Sequence, residues 1–271
     1  MAATGNESNV KTAAEIVAGL VKEVPVYQDA LQPAARQIGK SLEVVTKTIN
    51  IVLAPIKGLV WGYEQIESWL IRSLGEKLAG VPPENIIPPL PNIAVPAIEA
   101  LRYVAYDEQL RELYANLLAG AMNKDTAPQA HPGYVEVLKN LSADEALLLQ
   151  WFKAHSAHPV IHIKGETTPD TFILHRRFHF RLPEDLPVLH PALLAAYVDN
   201  AIRLGLLESP AGESLNDDRL YIPLETDPAL DPLSGEITGQ GQVILFDRAM
   251  IRLTSFGGQF VTQVIKEKER T

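Results

Sequence analysis

The chain has 271 residues, 46% of them hydrophobic and 21% charged, which is ordinary for a globular protein and long enough for two domains. It contains no cysteine, which excludes disulfides, thiolate metal sites and cysteine nucleophiles. The net charge is −9, divided as −6 over residues 141–271 and −3 over residues 1–140, so neither half offers the basic surface that phosphate neutralisation requires.

Residues 1–10 are polar and read as a disordered tail, and no basic stretch followed by an apolar core marks a secretory signal. Ile16, Val17, Leu20, Val21 and Val24 recur at helical spacing before Pro25. A longer helix is expected from Ala34, with Ile38, Leu42, Val45, Ile49, Val52 and Leu53 on one face and Pro55 ending or kinking it. Residues 49–63, INIVLAPIKGLVWGY, are apolar with Lys57 as the only charge. Pro55, Gly58 and Gly62 break the run, which falls short of the about 20 apolar residues that cross a membrane. Three readings stay open: a helical-hairpin turn in a core or oligomer interface, an interfacial membrane arm, or a regulated switch between the two. In the arm reading, Trp61, Tyr63 and Trp69 anchor it, with Lys57 and Arg72 beside them.

A helix over residues 63–78 carries the stripe Ile66, Leu70, Ile71 and Leu74. The six prolines of residues 81–96 then predict an extended, polyproline-like bridge and no helix. Ile86, Ile87, Leu90, Ile93 and Val95 predict that this bridge lies against a surface. Leu110, Leu113, Tyr114, Leu117, Leu118 and Ala121 form the apolar face of the next helix, with Asp107 and Glu108 in its first turn and Asn123, Lys124, Asp125 and Pro128 at its end. Pro132 suits the start of another helix. Ser142 and Glu145 form S-x-x-E, a capping box before Ala146–Leu149. Helix-surface spacing explains Asp107, Glu108, Arg111 and Glu112 without a polar site. His131 is either a general base or a packing residue in the turn before Pro132.

After residue 155 the pattern turns to strands at residues 159–163 and 171–180, joined by the loop 164–170. A helix is expected over 192–206. Residues 219–224 and 242–253 read as a strand pair joined by an acidic, Gly/Pro-rich loop. This order, with AIRLGLLE at 201–208 and IRLTSFGGQF at 251–260, resembles a winged-helix domain. The expected recognition helix offers only Arg203 beside Asp199. The expected wing carries Glu213, Asp217, Asp218, Glu225, Asp227, Asp231 and Glu236, so a protein ligand is expected over DNA.

All seven histidines lie between His131 and His190. His158 and His162 share one strand face and His175 and His179 another. Were those faces to match in a hairpin, four imidazoles would converge on a transition metal; otherwise they are sheet residues with local partners. No H-E-x-x-H run, phosphate loop or nucleophile elbow is present.

Three runs together resemble the abortive-infection alpha (Abi-alpha) family of bacterial anti-phage proteins: PAIEALRY at 96–103, DEQLRELYANLLAGAMN at 107–123 and HPGYVEVLKNLSADEALLL at 131–149. The resemblance rests on Asp107, Glu108, Leu110, Arg111, Asn116, His131, Pro132, Ser142 and Glu145, and covers most of residues 26–150 and more loosely the C-terminal part. It implies defence by abortive infection.

The expected architecture is mainly α with a smaller α+β part. It comprises the tail 1–10, a helical domain 11–140 with the bridge 81–96, and a winged-helix-like domain 141–271. Protein recognition is expected over catalysis, with a protein or phage component as partner and homo-oligomerisation. No cofactor or nucleic acid is expected, and the location is cytoplasmic, with membrane association through the arm as the alternative. The rivals are a metal-dependent enzyme using the four histidines and a winged-helix DNA-binding regulator.

Overall fold

The computed structural model describes residues 43–51, 53–54, 66–104, 106–155 and 157–265. The chain divides into two compact units, Met1–Val135 and Glu136–Thr271. Lys57, Trp61, Tyr63 and most of the expected arm lie outside the described residues.

In the first unit, residues 43–51 and 53–54 are helical and bury Val45, Ile49 and Leu53. α1 (Glu67–Lys77) buries Leu70 and Leu74. α2 (Pro91–Leu101) and α1 both pack on α3 (Glu108–Met122), whose residues Leu113–Met122 are all buried. The prolines do not exclude a helix. Pro91 sits at the first helical positions, where the missing N–H has no intrahelical acceptor to lose, and α2 continues through Pro96. The segment before it is extended and held to the end of α3. Ile87 N–H donates to Met122 O at 2.8 Å, Lys124 N–H donates to Asn85 O at 2.9 Å, and Ile86 is buried.

The division between units falls within α4 (Gly133–Lys139). The second unit opens with α5 (Ala143–Lys153) and a four-stranded antiparallel sheet of order β2-β1-β4-β3. Its strands are β1 (His158–Thr168), β2 (Thr171–His179), β3 (Leu207–Glu208) and β4 (Val243–Leu253). α6 (Leu194–Arg203) lies between β2 and β3, and α9 (Ser255–Val264) follows β4.

The stretch between β3 and β4 is not an open acidic wing. Residues 219–224 form no strand; Asp218–Leu220 is a 3-10 turn, followed by α7 (Ile222–Glu225), a second turn at Pro228–Leu230 and α8 (Asp231–Gly239). Pro223, Pro228 and Pro232 start helical turns where their missing N–H costs nothing. Tyr221, Leu224, Leu230 and Ile237 pack with Ile161 and Ile163 of β1 into a core, so the insertion is a helical cover on one sheet face. The strand that residues 219–224 were expected to supply is β1, which pairs with β4 from His158–Ile251 to Glu166–Val243 without a register shift.

Within the run 251–260, Leu253, Thr254, Gly257 and Phe260 fasten the end of β4 to the helix after it. Thr254 caps α9 by accepting from Gly257 N–H at 2.9 Å, donates its hydroxyl to Gly205 O, and donates its backbone N–H to Leu206 O. Gly257 lies so close to the Leu206 backbone that a Cβ there would overlap it. Phe260 is fully buried. Among the described residues no helix is long and apolar enough to cross a membrane.

Candidate functional site

The N-terminus of α5 organises the polar centre of the second unit. Ser142 and Glu145 form a complete capping box: Ser142 Oγ accepts from Glu145 N–H, and Glu145 accepts from Ser142 N–H at 2.7 Å. Asp144, between them, is only 4% exposed. Its carboxylate accepts from Leu189 N–H at 2.9 Å, His190 N–H at 3.0 Å and Tyr197 Oη at 3.0 Å. Burial works to raise the Asp144 pKa, but these bonds and the nearby His190 outweigh it and hold the carboxyl below its ordinary value. Tyr197 is pushed the other way, up to about 12, by burial and by its bond to Asp144. Glu145 also accepts from Asn200 Nδ2 at 2.6 Å.

This carboxylate mounts a loop. With Leu189 and His190 tied by their backbone, Leu189 stands 76% exposed and Leu193 47% exposed, beside exposed Pro191 and Ala192. Asp144 and Tyr197 were not legible as a site. An acid in a helix's first turn reads as a dipole complement, and its three donors lie 45 to 53 residues away.

The four expected metal ligands do not converge. His179 pairs with Ile161 and so shares its face, under the helical cover; His158 and His162 have the other parity on β1 and face the opposite side. One residue of register decides this. β2 also bulges: from Leu174 to His179 it takes five steps while β1 takes three, with Phe178 at φ 50°. Each imidazole has its own partner. His158 Nε2 bonds Phe152 O at 3.4 Å, with the Trp151 ring centroid 4.1 Å from its own. His162 Nδ1 accepts from Phe178 N–H at 3.2 Å, beside the bulge. His175 bonds Gln242 Oε1 at 2.8 Å and His179 bonds Asp227 Oδ2 at 3.1 Å. Burial lowers the pKa of His158 to about 4 and depresses His162 and His179, the last despite Asp227. Among the described residues no group of three His, Asp or Glu side chains could hold a metal ion.

The acidic cover is matched by arginines on β4. Arg248 pairs with Glu225 and Asp218, each at 2.6 Å, and lies over the Tyr221 ring. Arg252 pairs with Glu208 at 2.7 Å and Glu213 at 3.3 Å. Tyr221 Oη donates to Ala249 O at 3.0 Å and accepts from Leu215 N–H at 2.7 Å.

The sheet face away from the cover is bare at its hairpin end. There Phe172 and Val243 flank Glu166, and Leu174 and Leu245 flank Lys164. These four apolar side chains are 39–60% exposed. Lys164 lies over the Phe172 ring and pairs with Asp247 at 2.6 Å.

In the first unit, Asp107 caps α3 by accepting from Leu110 N–H at 2.9 Å. Arg111 lies over the Trp69 ring, 5.2 Å from its centroid, so the one described aromatic of the expected arm is half-buried against a cation. Glu112 pairs with Lys77 at 2.6 Å, and Glu108 stands in the first turn of α3. Asn116 is buried. His131 is exposed; its Nδ1 accepts from Gly133 N–H at 3.0 Å, which makes the turn through Pro132 into α4.

Comparison with known proteins completes the picture. The family model described as abortive infection alpha matches residues 62–264. The match starts later than residue 26 and takes in nearly the whole second unit. No curated protein matches the chain. A solved structure of an uncharacterized protein from the hydrocarbon-degrading marine bacterium Alcanivorax borkumensis is similar at 16% identity and TM-score 0.34, over 49% of this chain and 93% of that one.

Proposed function

The chain belongs to the abortive infection alpha family, which places it in anti-phage defence, and from that premise we propose that it acts by binding a protein partner, of host or phage origin, rather than by catalysis. The observation that carries this reading is the loop ahead of α6, where a buried carboxylate holds the backbone and leaves Leu189 and Leu193 facing water. Ordering such a loop before contact removes part of the entropic cost of binding. The buried acids and imidazoles also favour recognition: Asp144, Glu145, His158 and His179 are each committed to a bond within the fold.

We read the second unit as a winged-helix variant. Support comes from α5, β1, α6 and β3 in that order, with β4 between β1 and β3 and a helical cover in place of a wing. A protein ligand suits it better than DNA. Arg203, on the expected recognition helix, is held by Asn200 Oδ1 at 2.7 Å, and Asp199 pairs with Arg177.

The test is a phage challenge of bacteria expressing the chain, at low and high multiplicity of infection. Cultures should survive at low multiplicity and collapse at high. The double substitution Leu189→Asp and Leu193→Asp should abolish protection while leaving the circular dichroism spectrum and melting temperature unchanged. Full protection by that variant would refute the recognition loop.

A further inference from the structure

Phe178 has a φ of 50°, the one positive value at a residue other than glycine among the described residues. For a bulky aromatic this backbone is strained and persists only where its surroundings dictate it. Its ring is buried, with the Arg177 guanidinium 4.6 Å from the centroid and the His162 ring 5.0 Å away. Its N–H lies in the bulge, where the ladder is interrupted, and donates to His162 Nδ1 at 3.2 Å. That bond dictates a protonation state. Nδ1 accepts only while it carries no proton, because an imidazolium has donors on both nitrogens.

We propose that His162 is a pH-sensitive latch on the bulge: the neutral ring holds Phe178 in its left-handed conformation, and protonation turns the acceptor into a donor and loosens the end of β2 from α6. The contact that loosens is made by the residue before Phe178, where Arg177 pairs with Asp199 of α6 at 3.0 Å. Burial opposes the cation most. Asp247 of β4, opposite His162, favours it, and Arg177 of β2 and Lys164 of β1 oppose it, so the ring titrates below its ordinary value. Asp247 is itself paired with Lys164 at 2.6 Å. Arg176 and His179 turn to the other face, where His179 bonds Asp227. The latch is therefore shut above the folded His162 pKa and opens as pH falls through it. Asp199 lies between Tyr197 and Asn200, which reach Asp144 and Glu145. The latch thus bears on the mount of the loop ahead of α6, a consequence that rests on the recognition reading; the latch itself does not.

Amide hydrogen exchange followed by NMR on the full chain, alongside titration of the His162 ring, tests this. Corrected for the intrinsic rate, protection of the Phe178 N–H should fall about tenfold as the ring protonates, and the amides around Asp199 should lose protection in the same step. In His162→Asn the side-chain oxygen can accept from Phe178 without titrating, so protection should stay level with pH. His162→Leu offers no acceptor, and Phe178 should exchange fast at every pH; circular dichroism verifies each fold, and the wild type against His162→Asn decides if the leucine variant does not fold. Constant protection at Phe178 while His162 titrates, an equal fall in His162→Asn, wild-type protection in a folded His162→Leu, or a ring that stays neutral until the whole chain unfolds would overturn the proposal.

Discussion

Replacing Asp144 with asparagine removes a charge and almost no volume, so it isolates the carboxylate's work. One oxygen takes Leu189 N–H, and the other takes both His190 N–H and Tyr197 Oη. An asparagine has one acceptor oxygen and an NH2 group that cannot accept, so one orientation strands two donors and the other strands one. Hydrogen bonds to a charged group contribute about 1.5–3 kcal/mol each, and a stranded buried donor loses its solvation besides. The expected destabilisation is about 2–4 kcal/mol, read as a lower urea midpoint at unchanged slope. Tyr197→Phe removes one of the three bonds and leaves no donor stranded, so it should cost about 1 kcal/mol. Because the folded Asp144 pKa lies below its unfolded value, its stabilisation is complete above about pH 4 and is lost as pH falls through the folded pKa. Asp144→Asn should lack that acid limb. The variant should also become sensitive to protease near Leu189. If it unfolds at the wild-type midpoint, or if Tyr197→Phe costs as much, the loop is not held by this carboxylate.

Three further predictions follow from buried contacts. Burial keeps His158 neutral down to about pH 4 in the fold, below its ordinary value of 6.5, so it should drain stability as pH falls from 6.5 toward 4. His158→Phe should reduce the slope of that part of the stability–pH curve, leaving the share of His162 and His179, and proton-detected titration of the ring should show no protonation at pH 6. Gly257→Ala sets a Cβ against the Leu206 backbone, which cannot yield as a side-chain tip can; a loss of about 2 kcal/mol or more in melting or urea experiments is expected. Tyr221→Phe removes the hydroxyl that bonds both Leu215 N–H and Ala249 C=O and should cost about 1–3 kcal/mol, with hydrogen exchange at Leu215 accelerated.

What was legible in the sequence is what local chemistry decides. Asp107 caps α3 and the S-x-x-E spacing makes its box, because each capping oxygen and the backbone N–H that donates to it sit three residues apart. The hairpin of β1 and β2 shows as two β-branched, aromatic runs around a polar turn, and the family is carried by contiguous motifs. Proline misled twice for one reason. At Pro91, Pro223, Pro228 and Pro232 it opens helical turns, and the composition of a segment does not say whether a proline stands at its first turn or its interior. The histidines show a different limit. Alternation within each strand was readable, but the pairing of His179 with Ile161 is a register between strands, which no single strand encodes. The Asp144 site was hidden by distance, since its carboxylate and donors lie in separate elements.

The ladder between β1 and β4 joins Glu166 to Val243 and His158 to Ile251, across the hairpin, α6 and the whole helical cover. That span has a consequence for how the protein is made. During synthesis β1 leaves the ribosome about 75 residues ahead of β4, which at bacterial elongation rates is a wait of about 4–15 s. Through that interval β1 can zip with β2 but its other side has no strand to meet. Tyr221, Leu224, Leu230 and Ile237 emerge before β4 and can gather on Ile161 and Ile163 first, shortening the loop left to close. The cover is therefore translated in time to gather on the nascent sheet before its last central strand is made.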